Sequence, residues 1–155
     1  MVNPPRSKGT AAETAVVCHL RAAGIRADRR PLTGSRDTGD IWAAGGRIVI
    51  EVKTRTTHPV PRQIRDWLAQ LDTETVNAQA AGAPVDVSAL VVKRPGSGPN
   101  HAADWYAYLP IPDAAHLLGA DTWQSLQQAG AWVMVDLATL TALLLINGYG
   151  TETQP

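Results

Sequence analysis

Among 155 residues there is a single cysteine, Cys18, so no internal disulfide can form and a cysteine-based zinc site lacks its ligands. The four histidines are scattered, without the spacing of a metal site. The longest apolar run, Leu137 to Ile146, falls well short of the ~20 residues needed to cross a bilayer. The opening Met-Val-Asn-Pro-Pro-Arg-Ser-Lys-Gly-Thr has no apolar segment of the kind a signal peptide carries. We therefore expect a soluble, cytoplasmic protein. Neither repeats nor a second domain are evident, and residues 10–155 are expected to form one domain with its own core, behind a flexible basic arm over residues 1–9.

Net charge is lacking as well, with 14 Lys+Arg against 14 Asp+Glu, which argues against a generally basic nucleic-acid binder. The distribution is uneven, however. Residues 1–65 hold 12 basic and 5 acidic side chains, a net of +7, and residues 66–155 hold 2 and 9, a net of −7. Such asymmetry points to one face that meets an anionic partner, unless folding intermixes the charges.

What is present reads as a regular α/β chain. Thr10-Ala-Ala-Glu13 matches a capping box and opens a helix expected to end near Ala23, with Val16, Val17 and Leu20 on its apolar face and Glu13 on the same side. Ile25 to Leu32 is strand-like. Pro61 suits the first turn of a second helix, in which Ile64, Trp67, Leu68, Leu71 and Val76 recur at helical spacing until Gly82 stops it. Val85 to Val92 is a compact apolar run expected to be a central strand, and Lys93 to Asn100 is a loop. Trp105 to Leu109 and Trp132 to Val135 read as strands, and residues 112–118 and 122–128 as short helices. Asp136 reads as the N-cap of a last helix. A mixed sheet flanked by helices follows.

The most informative stretch is Gly39 to Lys53. Gly45-Gly46 between apolar runs signals a two-residue hairpin turn, because both central positions accept positive φ. The implied register pairs Ile41 with Ile50, Trp42 with Val49, Ala43 with Ile48, and sets Asp40 opposite Glu51. Alternation along the second strand places Ile48, Ile50 and Val52 on one face, and Val49, Glu51 and Lys53 on the other with Asp40. Directly opposed like charges destabilise a sheet unless something offsets them, and a Mg²⁺ ion among hard oxygen ligands would do so. Each residue has a plainer reading: Glu13 as the end of the capping box, Asp40 as a turn residue, Glu51 and Lys53 as a solvated strand face. Their coincidence in one register favours the chemical reading.

An acid on the first helix, then Asp40, then Glu51-Val52-Lys53 after a hairpin, resembles the PD-(D/E)XK nuclease superfamily, and the αβββαβ order fits its restriction-endonuclease-like core. Residues 7–93 look most like the small Holliday-junction resolvases, archaeal and phage-type, whereas residues 101–155, a C-terminal mixed extension, add nothing to the likeness. The resemblance implies that Asp40 and Glu51 bind Mg²⁺ or Mn²⁺ with the Val52 carbonyl. It implies that Glu13 completes the site directly or through a water, and that Lys53 acts on the attacking water or on transition-state charge. We favour the electrostatic role for Lys53. Gly39 stands where the namesake pattern has proline.

The implied activity is a Mg²⁺-dependent endodeoxyribonuclease acting on branched DNA, a homodimer if it makes two symmetric cuts. Alternatives are a nuclease of the same superfamily acting on linear duplex or single-stranded DNA, and a non-catalytic DNA-binding or assembly protein on the same fold. Arg6, Lys8, Arg29, Arg30, Arg36, Arg55, Arg62 and Arg65 are candidate phosphate contacts. Trp67, Trp105, Tyr106 and Tyr108 read as core or interface, and Trp123 and Trp132 as candidates for a dimer contact.

Overall fold

The computed structural model describes residues 4–32, 34, 36–120 and 130–151, with residues 4–8 described in their backbone alone. The short helix expected over 122–128, Trp123 within it, and the side chains of Arg6 and Lys8 lie outside the described residues.

The elements in chain order are α1 (Pro4–Ala22), β1 (Ala27–Arg29), β2 (Ile41–Ala43), β3 (Ile48–Lys53), α2 (Pro61–Ala80), β4 (Val87–Val92), β5 (Tyr106–Pro110), α3 (Ile111–Leu118), β6 (Trp132–Asp136) and α4 (Leu137–Ile146). All six strands join one sheet whose spatial order equals the chain order. Only β3 and β4 run parallel, linked by α2, and the other neighbours are antiparallel. The result is a mixed sheet flanked by helices.

Strand alternation divides the core into two. Ile48, Ile50 and Val52 meet Val16, Val17 and Leu20 of α1 and share that face with Leu137, Leu140 and Leu144 of α4. Val49, Leu90, Val92 and Tyr108 face the other way, onto Ile64, Leu71 and Ala78 of α2. Burial of these side chains, each contributing about 1.5–3 kcal/mol, supplies most of the stabilisation. The C-terminal extension is integral to the first core: Trp105 is fully buried there. Thr151 N–H donates to the Gly24 carbonyl at 2.7 Å, and His19 meets the Thr141 hydroxyl at 3.1 Å.

The helix ends follow local chemistry. Asp136 caps α4 by accepting from Thr139 N–H at 2.7 Å, and Gln63 reaches back to Val60 N–H at 3.1 Å at the start of α2. Helix α1 differs from expectation. It begins at Pro4, so residues 4–9, expected as part of a flexible arm, are helical. Thr10 is an interior residue, and Thr10 to Glu13 is therefore not a capping box.

The β2–β3 hairpin has the expected register, Ile41 with Ile50, Trp42 with Val49 and Ala43 with Ile48. Gly45 (φ 70°) and Gly46 (φ 87°) supply the positive φ angles of its turn, which Arg47 N–H closes on the Ala44 carbonyl at 3.4 Å. Ala44 also has positive φ, at 49°, which ends the ladder there. At the other end Gly39 has φ 86°, and a Cβ built on it would lie 2.7 Å from Val49 Cγ1. Proline, locked near φ −65°, cannot take this conformation. We expect Gly39→Ala to lose roughly 1–3 kcal/mol of stability in denaturant unfolding, through left-handed strain plus displacement of Val49. An unchanged midpoint would contradict this.

Candidate active site

Where the β2–β3 ladder stops, side-chain bonding replaces it. Asp40 N–H donates to the Ile50 carbonyl at 3.1 Å, and Asp40 Oδ2 accepts from Val52 N–H at 2.7 Å. That second bond lays the carboxylate along the β3 edge. The N–H and C=O of one extended residue point to the same side, so the Val52 carbonyl opens onto that edge as well. The Lys53 carbonyl points the opposite way, to β4, where it accepts from Lys93 N–H at 2.9 Å.

Glu51, one residue earlier, projects towards α2 and is 4% exposed. Its Oε1 accepts from Lys53 Nζ at 2.6 Å, while its buried Oε2 has no partner. Two α2 residues that sequence reasoning did not single out complete this side. Gln70 Oε1 accepts from Lys53 Nζ at 3.1 Å, and Gln70 Nε2 donates to Glu74 Oε1 at 2.6 Å, with Glu51 Oε1 at 3.4 Å. Glu74 is 1% exposed, and its Oε2 is also unpartnered. A signal was available: Glu74 falls one turn after Leu71 and one before Ala78, where the apolar stripe of α2 calls for a hydrophobic residue.

The electrostatics follow from burial. The Asp40 carboxyl is pushed up to about 8, first by burial and then by the neighbouring Glu51 charge, with Val52 N–H opposing and Glu13 adding a smaller push. Glu51 rises to about 7, again chiefly through burial, opposed by its hydrogen bond from Lys53 and reinforced by Glu74. Burial also raises Glu74. Without a cation, Asp40 and Glu51 hold protons to near neutral pH.

Among the described residues no group of three or more His, Cys, Asp and Glu is arranged to hold a metal ion. Mg²⁺ asks for less: it keeps several waters and is commonly held by one or two carboxylates. Asp40, Glu51 with its orphaned Oε2, and the Val52 carbonyl at the same edge fit that donor set. Glu13 is near enough to raise Asp40, but its Oε2 is held by Arg29 Nε at 2.8 Å.

The expected phosphate contacts have varied settings. Arg29 is engaged by Glu13 and reaches Thr10 at 3.4 Å. The Arg30 guanidinium lies 3.9 Å from the Trp42 ring centre, and Arg55 lies 5.9 Å from that of Trp67, one helical turn from Gln70. Arg36 and Arg62 are exposed. Arg65 sits on the opposite side of α2 from Gln70 and Glu74, near the Trp132 ring at 5.8 Å, and lines a cavity of about 580 Å³ with Asp72, Asp86 and Asp113. Charges of the two halves also meet directly, in the 2.8 Å pair of Arg47 with Asp86.

No known protein family matches the chain, and no curated protein matches it. Among solved structures it is similar to Hjc, a Holliday junction resolvase from the archaeal hyperthermophile Archaeoglobus fulgidus. The identity is 27% over 64% of this chain and 70% of that one, with a TM-score of 0.42. No helix among the described residues is long and apolar enough to cross a membrane.

The raised carboxyls give a pH dependence of definite sign. Folding favours the protonated forms of Asp40 and Glu51, so their contribution to stability is complete below about 4 and is lost as pH rises through about 7 to 8. Metal-free Asp40→Asn, which keeps an acceptor for Val52 N–H, should therefore gain in thermal midpoint relative to wild type between pH 4 and 8.5. Mg²⁺ at millimolar concentration should narrow that gap at pH 8.5. Parallel midpoint curves for the two proteins would contradict both.

Proposed function

We propose that the chain is a divalent-metal-dependent endonuclease of PD-(D/E)XK type that hydrolyses phosphodiester bonds in branched DNA, four-way junctions foremost. The observation that carries this reading is the juxtaposition of Asp40, aligned by Val52 N–H at 2.7 Å, with buried Glu51 and with Lys53 at 2.6 Å from Glu51. A binding module gains nothing from carboxylates held in mutual repulsion, whereas phosphodiester hydrolysis uses such a group. The branched substrate rests on the resemblance of residues 7–93 to the small Holliday-junction resolvases, and two symmetric cuts require a homodimer.

In this mechanism Asp40, Glu51 and the Val52 carbonyl would hold Mg²⁺ or Mn²⁺. When bound there, the ion would supply a nucleophile at neutral pH and counter-charge for the transferring phosphoryl group. Asp40 is pre-oriented by its hydrogen bond from Val52 N–H. Lys53 presents its ammonium beside the carboxylates, where it stabilises charge that develops on the phosphate oxygens in the transition state. Glu13 contributes negative charge from α1 once Arg29 turns to a DNA phosphate, and Arg30, Arg36, Arg55 and Arg62, with Arg6 and Lys8, supply further phosphate contacts.

The test is cleavage of four-way junction, flap, duplex and single-stranded DNA with Mg²⁺, Mn²⁺ or chelator. We expect metal-dependent cutting of the junction, and at least a ~100-fold loss for Asp40→Asn, Glu51→Gln or Lys53→Ala, in line with loss of a preorganised charge-stabilising group, while junction binding survives. Preference for plain duplex would redirect the substrate, and full activity in excess chelator would remove the metal from the mechanism.

A further inference from the structure

Glu74 and Gln70 lie outside the Asp40, Glu51 and Lys53 set, yet they form a continuous chain of hydrogen bonds into it. Gln70 is itself open to solvent. An exposed glutamine amide ordinarily rotates among rotamers, and nothing in its own surroundings obliges its oxygen to face a lysine. The buried carboxylate supplies that obligation. Glu74 Oε1, 2.6 Å from Gln70 Nε2, accepts from the amide nitrogen, which turns Gln70 Oε1 onto Lys53 Nζ at 3.1 Å. Reversing the amide would set its oxygen against Glu74 and Glu51 and its NH₂ against the ammonium, two repulsions in place of two attractions.

We infer that Glu74 is a positioning residue for Lys53, acting through Gln70: the buried carboxylate orients the amide, and the amide carbonyl holds the ammonium beside Glu51. The cost side of the structure agrees. A carboxylate 1% exposed, with one oxygen lacking any partner, destabilises the fold relative to an apolar side chain of similar size. A merely structural residue at this point of the α2 stripe would be a leucine. Lys53 alone reaches Glu51 on a flexible four-carbon stem, and a second acceptor restricts the ammonium to one region of the site.

The inference rests on the nuclease reading only for its consequence in turnover, so it is tested first without metal or DNA. The full chain has three lysines, Lys8, Lys53 and Lys93, which makes the Lys53 ammonium assignable by ¹⁵N NMR at low temperature, where slow proton exchange reports held hydrogen bonds. We expect wild type and Glu74→Gln, whose amide still accepts from Gln70, to show a protected Lys53 ammonium. Glu74→Leu and Gln70→Leu should lose it, and Glu74→Leu should melt at the same or higher temperature than wild type. On junction DNA with Mg²⁺, Glu74→Leu and Gln70→Leu should lower kcat by about 10- to 100-fold, the usual reach of such an outer partner, with KM unchanged. The double variant should be no worse than either single one, and Glu74→Gln should restore most of the rate.

Protection that persists in Glu74→Leu or Gln70→Leu would overturn the inference, as would Glu74→Gln behaving like Glu74→Leu. If Glu74→Leu fails to fold, the exposed Gln70→Leu decides alone. A protein that cuts no DNA refutes the nuclease reading and leaves the Lys53 measurement to decide this one.

Discussion

Burying Glu51 and Glu74 between β3 and α2 takes two carboxylates out of water with one ammonium in hydrogen-bonding reach, and much of the local structure is an accommodation to that. Asp40 joins them from the β2 edge, raised in turn by Glu51. Such a group is tolerable when protonated or when a cation is added, and it is unfavourable otherwise. The surrounding fold is rigid enough to hold it: β3 is flanked by β2 and β4, and both of its faces are packed by helices. A flexible loop would relieve the repulsion by moving apart.

The hairpin register was legible because three local signals agree. Gly45-Gly46 allows a two-residue turn, the alternating apolar residues of β3 select one face, and Trp42 with Val49 fits a cross-strand pair. The ladder itself ends at Ile41 and Ile50, and Asp40 beyond it bonds the Ile50 carbonyl and Val52 N–H rather than pairing with Glu51. Less legible was Gly39, whose φ of 86° and 2.7 Å approach to Val49 become apparent only with the strand in place. Gln70 and Glu74 were harder still. Gln70 meets Lys53 and Glu51, 17 and 19 residues earlier on another element, and although the apolar stripe of α2 marks Glu74, no local pattern names those partners. The start of α1 was misplaced because Thr10 and Glu13 satisfy a capping rule by composition, whereas the helix runs on through them from Pro4. Glu13 instead pairs with Arg29, 16 residues later.

The net +7 and −7 of the two halves do not map onto two separate surfaces. Arg47 pairs with Asp86, and Tyr149 donates to the same Asp86 carboxylate at 3.3 Å. Arg65 shares a cavity with three aspartates of the later half. The cations around the candidate site instead lie against aromatic rings, Arg30 on Trp42 and Arg55 near Trp67.

A sheet whose spatial order repeats the chain order has a kinetic consequence. Every strand pairs with its neighbour in sequence, and only the parallel β3–β4 pair has to wait for a long crossover, the one that α2 fills. The contacts that close the molecule are of another kind: Thr151 with Gly24 and His19 with Thr141 join residues more than 120 positions apart. Asp40, Glu51, Lys53, Gln70 and Glu74 all fall within a contiguous stretch of hairpin and following helix. The repulsive group therefore depends on contacts much shorter in sequence than those that join the two ends of the chain on the opposite face.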